Sequence, residues 1–173
     1  MKYFFMLIIS LAICNCAPTS DVSHIKNNGN DVQMNTNATA YISLPEDRSS
    51  NGHLYAGSGR EVAVEIEFIF SKYLNQVVVG NSVETFDEGL LSAKNFGYIY
   101  FIHPQLIQWE DYATQWSGIP DKLTLKVTIV SVESGAIIDK LLIDGKGPIV
   151  TLSGGHPLDI SKKSLEEWVK SLF

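Results

Sequence analysis

Beyond residue 16 the chain has no cysteine, and its only two, Cys14 and Cys16, stand together near the start. No disulfide can therefore brace the domain that follows, even in an oxidising compartment, so the fold must rest on its apolar core. Long hydrophobic runs are missing as well. The stretch Tyr3–Ile13 is about half as long as a bilayer-crossing helix, which needs roughly twenty residues. Positive charge is scarce: 13 Lys and Arg face 19 Asp and Glu, for a net charge of −6. That balance argues against nucleic acid as a partner and against a basic patch docked on anionic lipid.

Signatures of cofactor chemistry are absent too. His24, His53, His103 and His156 are scattered, and none has the spacing of a metal-ligand pair. Gly57-Ser58-Gly59 lacks the third glycine of a dinucleotide fingerprint, and no Gly-Lys-Ser/Thr follows it. No Gly-x-Ser-x-Gly nucleophile motif occurs. We therefore assign no catalytic residue, no cofactor and no metal from the sequence.

What is present begins at the N-terminus. Lys2, the apolar run and then Cys14-Asn15-Cys16 follow the order of a bacterial secretory signal ending at a lipid-attachment site. Small residues before the modified cysteine favour Cys16 slightly over Cys14, because the bulky Ile13 directly precedes Cys14. An ordinary signal cut near Ala17 is the alternative. The residue after the cysteine is Ala17, or Asn15 if Cys14 is used, and neither is the Asp that retains lipoproteins in the inner membrane. The expected location is the outer membrane, facing the periplasm.

At 173 residues, 45% hydrophobic and 18% charged, the remainder suits one globular domain. Residues 1–16 read as signal and lipidation region, 17–37 as a flexible polar tether, and 38–173 as the domain. Within it, Ala38–Leu44 reads as a strand, and Ser58 and Glu61 have the spacing of a capping box opening a helix with an apolar face through Tyr73. Gln76–Val79 reads as a brief strand. Thr85 and Glu88 repeat the capping pattern before a second helix ending near Gly97. Tyr98–Ile102 is a covered strand, and Leu123, Leu125, Val127 and Ile129 alternate with polar residues on a half-wet one. A turn at Glu133-Ser134-Gly135 sends the chain back, and Leu165, Trp168, Val169 and Leu172 mark a closing helix. The order β-α-β-α-β-β-β-α implies an α/β two-layer sandwich with a mixed sheet of about five strands.

The densest polar-aromatic tract, Trp109 to Asp121, joins two strands. Glu110 and Asp111 are adjacent carboxylates, but neighbours in an extended strand point to opposite faces, which weighs against shared acid–base work. Trp109, Glu110, Asp111, Tyr112, Trp116 and Asp121 are the candidate binding surface, with Tyr112 and Trp116 as flat anchors. A structural corner, with buried tryptophans and turn-capping acids, is the other reading. An enzyme using Glu110, Asp111 or Asp121 with His103, or a carrier with an apolar pocket between helices and sheet, are the competing classes.

Gly57-Ser58-Gly59, Trp109-Glu110-Asp111, Ala113-Thr114-Gln115-Trp116-Ser117-Gly118, Pro120-Asp121, Ser134-Gly135 and His156-Pro157 resemble bacterial lipoproteins carrying domain of unknown function 4823. Members tend to have Arg where this chain has Tyr112 and Glu where it has Gln115. The resemblance implies a covalent lipid anchor in the membrane, an envelope location and an α/β fold, and it names no reaction. More remotely, the order of elements is similar to the periplasmic domain of the curli secretion lipoprotein and the N-terminal domain of the Tol translocation protein. That similarity implies an envelope protein as partner.

Overall fold

The computed structural model describes residues 19–24, 33–112, 118–148 and 155–173. Cys14, Cys16 and Trp116 lie outside them. Among the described residues eight strands are present: β1 (Thr19–His24), β2 (Thr39–Leu44), β3 (Arg48–Ser50), β4 (His53–Tyr55), β5 (Gln76–Val83), β6 (Tyr100–Glu110), β7 (Lys122–Ser131) and β8 (Ile137–Lys146). The helices are α1 (Ser58–Phe70), α2 (Phe86–Asn95) and α3 (Lys162–Lys170), with a 3-10 turn at Pro157–Ile160 before the last. Six strands form one open mixed sheet in the order β1-β8-β7-β6-β2-β5, and β3 and β4 form a small hairpin. β2 runs parallel to β5 and β6, while the β6-β7-β8-β1 half is antiparallel.

The α/β class, the mixed sheet and the helices packed on it agree with the sequence reading. Val62, Ala63, Ile66, Ile69 and Phe70 of α1 and Leu165, Trp168 and Val169 of α3 cover one sheet face. They meet Ala40 and Ile42 of β2, Tyr100 and Ile102 of β6, and the alternating Leu123, Leu125, Val127 and Ile129 of β7. The indole of Trp168 donates to Asp139 at 3.0 Å and stands edge-on to Phe70, so the last helix is fixed by a directed bond as well as by apolar burial. α2 adds a partial third layer: Phe86, Leu90 and Ala93 pack against Tyr41, Phe101 and Val130 on the opposite face.

Several elements differ from expectation, each for a tertiary reason. Thr19–His24 falls inside the stretch read as a tether, yet it pairs along β8 from Thr19 opposite Lys146 to His24 opposite Leu141. An exposed polar edge strand looks like a linker in sequence, because only its backbone is engaged. β5 continues past Val79 through Gly80, where a side chain is barred because a Cβ would stand 2.5 Å from the Tyr41 hydroxyl. β6 extends eight residues beyond Ile102, where its pairing with β2 stops, so it carries Pro104 on a margin that needs no donor.

The capping box at Ser58 does not form. Gly57 is the N-cap with no side-chain bond, and Ser58 Oγ instead accepts from the Arg48 amide at 3.0 Å. The cap comes from Asp47, whose carboxylate accepts from the Gly57 and Gly59 amides, both at 2.9 Å. At α2 the expected box is complete, with Thr85 and Glu88 satisfying each other's amides.

Candidate functional site

The Trp109–Asp121 tract sits where β6 leaves the sheet and β7 re-enters it. Trp109 and Glu110 are strand residues, paired with Leu123 and Lys122, and only the residues from Asp111 onward form the connection. Trp109 is 3% exposed and packs into the main core, its ring edge-on to His156 at 5.4 Å. Asp121 is 1% exposed, and its carboxylate accepts from the Tyr112 amide at 2.8 Å while its carbonyl accepts from Gly147. These two side chains face inward and hold the corner. Glu110 is tied to Lys122 at 2.9 Å, to Gln108 at 2.9 Å and to Ser50. The Lys122 bond holds its carboxyl below the usual range, with Gln108 helping and burial opposing.

Facing outward are Asp111, Tyr112 and, after the undescribed residues, Ile119, which is 52% exposed. The Tyr112 hydroxyl accepts from Asn51 Nδ2 at 2.9 Å, so the β3-β4 turn props this ring. That turn is Asn51-Gly52, both at positive φ, a two-residue hairpin signal in a stretch to which the sequence reading gave no element. The neighbouring Tyr55 hydroxyl, then the Asn51 bond, lower the Tyr112 hydroxyl's affinity for its proton, while burial first, then Tyr112, push Tyr55 up to about 12.

Behind the corner lies a small cleft of about 220 Å³, lined by Tyr55, Glu61, Trp109, Asp111 and His156 among others. His156 is placed by two bonds. Its Nδ1 accepts from the Leu158 amide at 3.3 Å, which leaves the ring proton on Nε2, 3.2 Å from Glu61 Oε2. Burial, then the Asp121 charge, raise Asp111, with His156 opposing. Two acids, Glu61 and Asp111, and one imidazole therefore do share this cleft, but the histidine is His156 rather than His103, and Glu110, held by Lys122, is not among the lining residues.

His103 is elsewhere. It lies on the α2 face of β6, seven residues or about 23 Å along the strand from Glu110. Its ring packs on Phe86 and Phe101, and Nδ1 is 2.8 Å from Ser43 Oγ. The acid–histidine pairing of the enzyme reading, Glu110, Asp111 or Asp121 with His103, is therefore not assembled. The Ser43–His103 pair, sixty positions apart, gave no sequence signal. Ser43 is wholly buried, so its hydroxyl has no path to a substrate. Nearby, Arg48, Thr85, Glu88 and Leu106 help line a groove of about 500 Å³ open to solvent, with the Arg48 guanidinium donating to the Leu106 carbonyl. The space between sheet and α1 and α3, where the competing carrier reading requires an apolar pocket, is filled by Ile66, Phe70 and Trp168. Among the described residues no three potential metal ligands cluster, and no helix is long and apolar enough to cross a membrane.

A family model for the domain of unknown function DUF4823 matches residues 32–172, covering both flanks of the corner. The chain belongs to the DUF4823 family. No curated protein sequence matches this DUF4823 chain. In three dimensions it is similar to the PelC dodecamer from Paraburkholderia phytofirmans, with a TM-score of 0.66, 9% identity, 89% of this chain covered and 97% of that one. A point variant of the same dodecamer gives a TM-score of 0.67 at 8% identity, with 89% and 98% covered. The DUF4823 chain thus shares its fold with PelC over 89% of its length.

Proposed function

We propose that this DUF4823 protein is a lipid-anchored module of the cell envelope that binds or assembles with other envelope components and does no chemistry of its own. The observation that carries the reading is the two-sided corner: Trp109 and Asp121 lock it from inside, and Asp111, Tyr112 and Ile119 are presented outward by that frame. A rigid scaffold under a half-buried aromatic and an exposed aliphatic is the arrangement of a contact surface. Trp116 belongs to the same proposed surface. Cys16, or Cys14 in its place, carries the lipid after signal cleavage, and the protein stands on the periplasmic side of the outer membrane. The fold shared with PelC, a dodecamer, supports an assembly role.

The test is crosslinking of the lipidated protein in intact envelopes. Tyr112→Ala and Ile119→Asp are expected to lose the crosslinked species while keeping the urea midpoint of the parent. Loss of the fold in both variants would instead make the tract a structural corner and sink the proposal.

A further inference from the structure

The lipid reading and the strand register together place the membrane. β1 runs antiparallel to β8, so the chain approaching Thr19 comes from the end of the sheet where β8 departs, beside Lys146. In the next strands the same level holds Lys122 and then Glu110. Thr19 therefore lies at the level of the Trp109–Asp121 corner. Only two residues separate Cys16 from Thr19, so the attachment point is within about 10 Å of the sheet end, or within about 18 Å if Cys14 is used. The spacer expected over residues 17–37 is cut short because Thr19–His24 form β1. A lipid held that close leaves no room for the domain to stand clear of the surface.

The same end bears exposed apolar side chains. Ile119 is 52% exposed and Leu54, on the hairpin that props Tyr112, is 57% exposed. With a net charge of −6, contact with the bilayer has to be apolar and interfacial rather than a basic patch on anionic lipid. From this geometry we infer that the component met by the corner is the bilayer in which the protein is anchored, with Leu54, Tyr112 and Ile119 set into the headgroup layer. The inference rests on the lipid-anchor reading and names the partner of its proposed surface.

The experiment uses the full lipidated protein in vesicles of phosphatidylethanolamine and phosphatidylcholine, part of the latter carrying a headgroup nitroxide. An environment-sensitive fluorophore is attached at Leu54→Cys, Ile119→Cys or Phe96→Cys, on a background keeping only the acylated cysteine. Phe96, 76% exposed at the end of α2, is the control, because it lies near the start of β6, about 33 Å from the corner. Quenching several-fold stronger at residues 54 and 119 than at 96 is expected. A twelve-residue Gly-Ser insertion between Pro18 and Thr19 should reduce it to the Phe96 level while the protein still floats with the vesicles. Equal quenching at all three positions on protein that floats overturns the inference and leaves the anchor standing. Crosslinking of residue 119 to a protein without lipid quenching overturns it in favour of a protein partner. Protein that does not float removes the anchor reading and this inference with it.

Discussion

Asp47→Ala should destabilise the domain by about 1.5 kcal/mol. The Asp47 carboxylate accepts from two amides at the start of α1, Gly57 and Gly59. Removing a helix cap costs about 1 kcal/mol, and a carboxylate at a helix N-terminus adds roughly 0.3–1 kcal/mol at a solvent-facing site such as this. For a domain of this size that is a fall in Tm of about 3–6 °C, read by circular dichroism with urea midpoints alongside. Asp47→Asn keeps one acceptor oxygen but turns its NH2 toward the second backbone N–H, so it should recover at most about half of the loss. Glu61 makes no capping bond and pairs with His156 instead, so Ser58→Ala and Glu61→Ala should be additive within about 0.5 kcal/mol. An unchanged Asp47→Ala protein, together with strong coupling between Ser58 and Glu61, would restore the local capping box and refute this account of α1.

Three further expectations test the surrounding structure. Burial first, then Lys126, hold His103 below its ordinary value of 6.5, so the unfolded chain takes up the proton before the folded one does. Stability is then lost as pH falls below about 6.5 toward the depressed folded-state value, and His103→Gln should flatten that part of a urea-midpoint profile; an unaltered profile would show that His103 is not the group responsible. Trp168→Phe leaves a buried Asp139 oxygen without its indole donor and should cost about 2–3 kcal/mol in denaturant titration, against about 1 kcal/mol for Asp139→Asn. Gly145→Ala places a Cβ 2.5 Å from Ile160 and 2.8 Å from the Thr19 carbonyl. It should strip hydrogen-exchange protection from β1 while sparing β6 and β7, and uniform protection would show that β1 does not pack there.

Elements built from local chemistry were legible in the sequence. Thr85 and Glu88 cap α2 because both partners lie within one turn. The Leu123-to-Ile129 alternation and the Leu165, Trp168, Val169 and Leu172 spacing each define a buried face from a single segment. What escaped depends on distant partners. Asp47 lies ten positions from Gly57, with a hairpin between them, so the nearby Ser58 offered a cheaper and mistaken reading. β1 has no apolar face to show, and β6 runs through Pro104, a residue that argues against a central strand and is accommodated where β2 no longer pairs. At the site, the Trp109–Asp121 tract was recognisable from its composition, but the inward roles of Trp109 and Asp121 depend on burial. His156 reaches the cleft only because the turn before α3 carries it back to β6.

The account stands most directly on the anchor. Metabolic palmitate labelling with membrane fractionation, on the wild type beside Cys14→Ser and Cys16→Ser, measures it. The prediction is a labelled wild type in the outer-membrane fraction, with label kept in Cys14→Ser and lost in Cys16→Ser. An unlabelled, soluble wild-type protein would contradict the lipid anchor and, with it, the placement of the corner against the bilayer.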